Sequence, residues 1–160
     1  METTIRINTD MLTQEIVDGI KKMFPHKTVD IIVQPADDTE YILSNPAYAK
    51  EIESRLEEYK TKKEIISINA DELLWGTLNF LQKAFKEYND WIQNDRKTAL
   101  RIGDLIKDTL RTPFEGMGKP EPLKFQFKGC WSRRIDHEHR LIYSVSDSSI
   151  LIVSCYSHYQ

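Results

Sequence analysis

The chain has 160 residues, 40% of them hydrophobic and 29% charged, and a formal net charge of −3. This length suits one ordinary domain or two small ones, and no stretch approaches the roughly 18 consecutive apolar residues of a membrane span, so no membrane association is expected. The polar start Met1-Glu-Thr-Thr4 is no signal-peptide pattern, and Cys130 and Cys155 show no paired metal-ligand spacing, so a reduced, cytoplasmic setting without disulfides is expected. The charge is unevenly spread: residues 1–77 carry 9 Lys/Arg against 15 Asp/Glu, a net −6, while residues 78–160 carry 13 against 10, a net +3. An acidic half joined to a basic half is the pattern of an inhibitor covering a nucleic-acid-binding surface, although ordinary uneven surface charge accounts for the counts equally well.

Residues 3–7 alternate β-branched and polar side chains and predict a short strand. A helix is expected over residues 10–24, with Asn8, Thr9 and Asp10 as capping candidates and Met11, Ile16, Ile20 and Phe24 on one face. Pro25-His26-Lys27 ends it, residues 29–33 read as an apolar strand, and residues 34–38 as a loop. A unit this small buries little surface alone, so self-association through it is expected. Operator DNA has little to grip, because Arg6 is the sole cation before Lys21. Ser44-Asn45-Pro46 then caps a second helix reaching Tyr59, with Ala47, Ile52, Leu56 and Tyr59 on one face. A basic turn, a strand over residues 64–68 and the acidic pair Asp71-Glu72 follow, and Trp75-Gly76-Thr77 reads as a junction. The expected organisation is a unit of residues 1–38, a segment of residues 39–74, the junction 75–77 and a domain of residues 78–160.

That last domain starts with a strand over residues 77–81 and a helix whose core stripe is Leu81, Phe85, Tyr88 and Ile92. Asn94-Asp95 caps a second helix to about Leu110, with Ala99, Ile102, Ile106 and Leu110 inward, and Pro113 and Gly116 break the chain after it. Residues 123–127, 131–135, 141–145 and 149–156 read as strands joined by polar turns. The predicted class is α+β, two helices packed on an antiparallel sheet.

Glu121 lies between Pro120 and Pro122, and residues that precede proline are driven out of the helical region, so Lys119 and Glu121 are both expected to be extended. Lys119, Lys124, Arg133, Arg134 and Arg140 supply cations for phosphate oxygens. Metal-free cleavage of RNA needs a base for the 2′-hydroxyl, a cation for the charged transition state and an acid for the leaving oxygen. Glu121, Arg140 and His158 can fill those roles. Taken singly, each is more often structural: a solvated loop glutamate, an ion-paired strand arginine, a frayed terminal histidine. Spacing alone does not decide between the readings. Asp136-His-Glu-His139 superficially suggests a metal site, but it lacks the helical His-Glu-x-x-His arrangement and any cysteine cluster. His139 is instead expected to order the strand start beside Arg140, and Cys155 to be a small core residue. No cofactor or metal is expected.

Residues 78–159 carry Leu105-Ile-Lys-Asp-Thr109, Arg111-Thr-Pro-Phe-Glu-Gly116, Gly118-Lys-Pro-Glu-Pro-Leu-Lys124, Trp131-Ser-Arg-Arg-Ile135, Glu138-His-Arg-Leu-Ile-Tyr143 and a late Cys155 before His158-Tyr159. In this the half resembles the YoeB/Txe branch of the RelE superfamily, the ribosome-dependent messenger-RNA endoribonuclease toxins of bacterial toxin-antitoxin pairs. The resemblance implies a small α+β fold with Glu121 as general base, Arg140 as phosphate-stabilising cation and His158 as general acid, giving a 2′,3′-cyclic phosphate. It further implies Lys124, Arg134 and Tyr159 as substrate contacts, and messenger RNA and the ribosome as partners. Tyr156 and Ser157 stand where the family commonly has basic or aromatic residues, and Gln160 extends its usual His-Tyr ending. The segment Glu40-Tyr-Ile-Leu-Ser-Asn-Pro-Ala-Tyr-Ala49 is similar to the toxin-wrapping region of YefM-like antitoxins, whereas the first 35 residues do not look like the usual YefM amino-terminal domain. Together these imply a fusion whose N-terminal half occupies the nuclease site, from the same chain or by exchange within a dimer, so that the enzyme is latent. The alternative is a non-enzymatic RNA- or DNA-binding regulator that keeps the toxin fold.

Overall fold

A computed structural model describes residues 9, 12–31, 37–62, 64–69 and 76–156, which fall into two units, Met1–Ala36 and Asp37–Gln160. In the first unit, α1 (Gln14–Met23) starts four residues later than the apolar pattern predicts. Thr13 is its N-cap in extended backbone and makes no side-chain capping bond, while Glu15 in the first turn and Lys21 and Lys22 in the last complement the helix dipole. None of its residues is buried. Residues 27–31 carry no regular structure, so the described part of the expected strand 29–33 is not a strand. An apolar run favours extended backbone, but a strand also needs a neighbour to pair with, and the unit shows none among its described residues. The expected strand over residues 3–7 lies outside them.

The second unit is built on a six-stranded sheet of order β1-β2-β6-β5-β4-β3: β1 (Ile65–Asn69), β2 (Thr77–Leu81), β3 (Glu121–Pro122), β4 (Cys130–Arg134), β5 (Arg140–Ser146) and β6 (Ser149–Ser154). The fold is α+β as expected, but the sheet is mixed. β2 runs parallel to β6, and every other neighbouring pair is antiparallel. The near-continuous apolar run Ile150-Leu-Ile-Val153 is what a central strand buried on both faces requires.

Two long helices follow β2. Asp95 accepts from the amides of Lys97 and Thr98 and so caps α5 (Arg96–Arg111), whose Ala99, Ile102, Leu105, Ile106 and Leu110 are buried as the helical spacing predicts. The stripe of α4 (Gln82–Asn94) is rotated from the expected one: Ala84 is buried and Phe85, Tyr88 and Trp91 pack inward, while Ile92 is 51% exposed. Trp91 is the larger side chain, and its indole N–H donates to the carbonyl of Cys155 at 3.0 Å, so turning it inward buries more apolar area and satisfies a polar atom at once.

Preceding them, α3 (Pro46–Lys62) starts as expected, with Pro46 in its first turn and the Asn45 side chain accepting from the amide of Tyr48. Its buried face is Tyr48, Ala49, Ile52 and Arg55, and Ala47 is exposed, contrary to expectation. The loop expected up to residue 38 ends one residue early. Asp37 caps a short helix, α2 (Asp38–Leu43), by accepting from the amide of Thr39 at 2.8 Å. The strand expected over residues 64–68 is β1, paired along β2 from Ile65↔Leu81 to Asn69↔Thr77. Asp71 and Glu72 lie outside the described residues. The strand expected over residues 123–127 is absent: β3 is only Glu121–Pro122, and Phe125–Phe127 forms a 3-10 turn in which Phe125 has φ +54°. Pro122 has no N–H to give the ladder, and the turn drops Phe127 into the core while leaving Phe125 70% exposed. Among the described residues no helix is long and apolar enough to cross a membrane.

Candidate active site

Three adjacent strands bring the polar residues together. Glu121 of β3 is registered against Ser132 of β4, and Arg134 of β4 against Arg140 at the start of β5. Alternation along a strand points Ser132 and Arg134 to one face and Arg133 to the other. Arg133 therefore does not join the phosphate-binding cations expected from the sequence. It is fully buried on the opposite side, where Nε donates to the Tyr143 hydroxyl, Nη1 to Asp108 Oδ2 and the Met117 carbonyl, and Nη2 to the Thr112 and Glu115 carbonyls. These bonds tie the 112–117 loop to Asp108 and Tyr143.

That loop also corrects the backbone expectation before Glu121. Lys119 is not extended but has φ +52°, following Gly118 at φ +76°. The cause is anchoring on both sides: Asp108 accepts from the amide of Met117 at 2.7 Å, and the Gly118 carbonyl accepts from the amide of Arg134 at 2.7 Å. The chain must turn sharply between those anchors to deliver Glu121 into β3.

The site itself is occupied by α2. Asp38 is fully buried; one carboxylate oxygen lies 3.1 Å from Arg140 Nε and 3.3 Å from Arg134 Nη2, and the other accepts from the Ser132 hydroxyl at 2.6 Å. The amide of the same residue donates to Glu121 Oε2 at 3.2 Å, while Glu121 Oε1 lies 3.9 Å from Arg134 Nη2. Arg140 is aimed by bonds from Nη1 to the carbonyls of Asp136 and His139, and its guanidinium carbon stands 4.2 Å from the centre of the Tyr41 ring. Its Nη2 is buried and has no hydrogen-bond partner among the described residues. At the rim, the amide of Lys124 donates to the Thr39 hydroxyl at 3.0 Å and its ammonium pairs with Asp37. That hydrogen bond from Lys124 lowers the Asp37 carboxyl and raises the lysine in turn.

Two guanidinium groups and a hydroxyl converging on two oxygens make an anion site, and the non-bridging oxygens of a phosphate would meet the same donors. A carboxylate, Glu121, sits beside it. The structure thus brings together Glu121, Arg134 and Arg140, with Lys124 at the edge. His158 and Tyr159 lie outside the described residues. The last described residue, Tyr156, places its ring 5.0 Å from that of His139, whose Nδ1 is 2.8 Å from Asp136 Oδ2.

Sequence reasoning missed Asp38, Ser132 and Tyr41. Ser132 was recoverable, since it alternates with Arg134. Asp38 had a weaker signal, the pair Asp37-Asp38 one turn ahead of the apolar Ile42-Leu43, which is a helix-start pattern.

A family profile described as the YoeB-like toxin of bacterial type II toxin-antitoxin systems matches residues 80–159, the stretch that holds every strand of this site. The chain belongs to the YoeB-like toxins. Toxin YoeB of Escherichia coli (strain K12) is 49% identical over 88 residues, spanning 55% of this chain and 99% of that protein. Toxin RelK of Mycobacterium tuberculosis (strain ATCC 25618 / H37Rv) is 46% identical over 83 residues, 52% of this chain and 98% of its own length. Among solved structures, a YoeB-YefM complex from Staphylococcus aureus has a chain 46% identical with a TM-score of 0.50, covering 51% of this chain and 95% of that one. The YoeB-like match begins at residue 80, so α2, α3 and β1 precede it.

Proposed function

We propose that residues 78–160 are a ribosome-dependent messenger-RNA endoribonuclease, and that α2, α3 and β1 hold it inactive within the same chain. RNase activity is the property of the YoeB family, and the observation that carries the rest is Asp38. Its carboxylate takes the donors of Arg140, Arg134 and Ser132 that a scissile phosphate needs, and its amide engages Glu121. On this reading residues 37–69 are an antitoxin segment joined to its toxin, and the staphylococcal YoeB-YefM complex supports an antitoxin partner for this fold.

With α2 withdrawn, Glu121 takes the proton of the 2′-hydroxyl as that oxygen attacks phosphorus. Arg140 and Arg134 stabilise the charge building on the non-bridging oxygens, and Ser132 donates to one of them. His158 gives its proton to the departing 5′-oxygen, leaving a 2′,3′-cyclic phosphate. Lys124, freed from Asp37, contacts the RNA, as Tyr159 does by the family resemblance. No step calls for a metal or cofactor.

The test is Asp38→Ala in the full chain, assayed in a ribosome-containing translation reaction with cut sites mapped by primer extension. Removing one partner of a buried pair costs about 3–5 kcal/mol, which corresponds to a rise in unmasked enzyme of about 10²- to 10⁴-fold. Cleavage by the variant and not by the parent is the expected result. A folded Asp38→Ala chain that cuts no message would turn the reading to a non-enzymatic binding module.

A further inference from the structure

Asp38 is not the only charge that the N-terminal segment buries. Arg55 of α3 is 2% exposed and reaches the opposite kind of pocket: Nη1 donates to the Val153 carbonyl at 3.0 Å, Nη2 pairs with Glu87 of α4 at 2.5 Å, and Nε with Glu51 of its own helix at 3.1 Å. Glu87 in turn accepts from the amide of Cys155 at 2.9 Å, so the carboxylate is fixed to the end of β6 before Arg55 arrives. The segment therefore presents a buried anion from α2 and a buried cation from α3, each to a pocket of opposite charge.

We infer that the Arg55–Glu87 pair is the selectivity lock of the inhibitory segment: it sets the direction and register of α3 so that Asp38 falls on Arg140, and it admits only helices carrying a cation at that turn. The inference rests on the inhibited-nuclease reading. Two opposite charges fix direction because the reversed docking would put Asp38 against Glu87 and Arg55 against Arg140. Each would then be a like-charge contact out of water, which is strongly unfavourable. An apolar face alone has no such polarity, since Tyr48, Ala49 and Ile52 would bury comparable area in either sense. A helix with a neutral residue at position 55 would leave Glu87 without its guanidinium and the Val153 carbonyl without a donor, and it would be rejected for that reason. Arg55 acts through Asp38 and touches no reacting atom, so it is a positioning residue.

The experiment uses the full chain with Arg55→Glu, Glu87→Arg, the double swap and Asp38→Ala as the reference for an unmasked site. Each is followed by message cleavage and by hydrogen exchange of the α2, α3 and α5 amides. Each single reversal is expected to raise cleavage by about tenfold or more and to speed exchange in α2 and α3 by a similar factor, with α5 unchanged. The double swap restores an opposite-charge pair but sets an arginine against the Cys155 amide and a glutamate against the Val153 carbonyl, so it is expected to recover only part of the protection. Arg55→Lys, which keeps the charge and loses the fork, is expected to loosen α2 and α3 by a smaller factor, and it decides the matter if the reversals also disturb α5. The lock is overturned if Arg55→Lys and the reversals leave exchange in α2 and α3 at the parent rate. If Asp38→Ala itself cuts nothing, the nuclease reading fails, and exchange alone still judges the lock.

Discussion

Arg133 and Arg140 stand on neighbouring strands with the same side chain and opposite fates. Arg133 spends its donors on loop carbonyls, Asp108 and Tyr143, and Arg133→Met is expected to cost about 3–5 kcal/mol of folding stability, read by urea denaturation, because Asp108 loses its guanidinium. Arg140 keeps a buried Nη2 unbonded among the described residues, which is what a group held ready for an anion looks like. In the Asp38→Ala background, Glu121→Gln is expected to lower cleavage by about 10²- to 10⁴-fold with the melting curve unchanged. Asp136 reports a different chemistry. Burial opposes its ionisation, but bonds from the imidazole and amide of His139 and the amide of Glu138 prevail and bring its carboxyl down to about 2. A lowered carboxylate stabilises the fold above its unfolded value of about 4 and loses that contribution as pH falls toward 2. Acid titration of the parent against Asp136→Asn should therefore show their stabilities converging across that window. At this scale the sequence was informative about residue type and weak about direction: it grouped Arg133 with the site cations because only the strand phase, visible in the register, tells one face from the other.

Elements sort by length. α5 was legible in extent and face because sixteen residues of helical spacing behind an Asp cap leave one consistent stripe, whereas α3, behind its Asn cap, was legible in its start but not in its buried face. α2 has only six residues, too few for periodicity to register, and it exists by virtue of its cap and the partners it finds on other strands. The strand expected over residues 123–127 failed for the complementary reason: alternating apolar residues do not make a ladder once a proline has ended it. The 112–119 loop is the element on which the site geometry depends, and Gly118 is the point where it meets both α5 and β4. A Cβ there would lie 2.8 Å from Leu105 Cδ2 and 3.0 Å from the Arg134 carbonyl, at a φ of +76°. Gly118→Ala is expected to cost about 1–3 kcal/mol from backbone strain alone and to displace Arg134. It should show as a lowered thermal midpoint together with reduced cleavage in the Asp38→Ala background.

For the whole molecule, the charge split of −6 and +3 takes on a physical meaning in the fold. The contacts that join the two halves most closely are buried, Asp38 on Arg140 and Arg55 on Glu87, while Lys124–Asp37 lies at the surface. Salt screens exposed pairs over a Debye length of about 10 Å at 0.1 M and touches buried ones far less. Exchange protection of α2 and α3 is thus expected to change little between low salt and about 0.5 M; a steep loss would mean that surface charge holds the segment.

β1 ends at Asn69 and its partner strand β2 begins at Thr77, so on the proposed reading residues 70–76 are the covalent link between the inhibitory segment and the nuclease. A tether so short keeps the blocking helices at an effective concentration on the order of millimolar, whatever the amount of protein around them. On that reading, dilution does not separate the two. Cleavage per molecule should accordingly stay constant across decades of protein concentration. On that reading, restraint is lifted by loosening the contact or severing the tether.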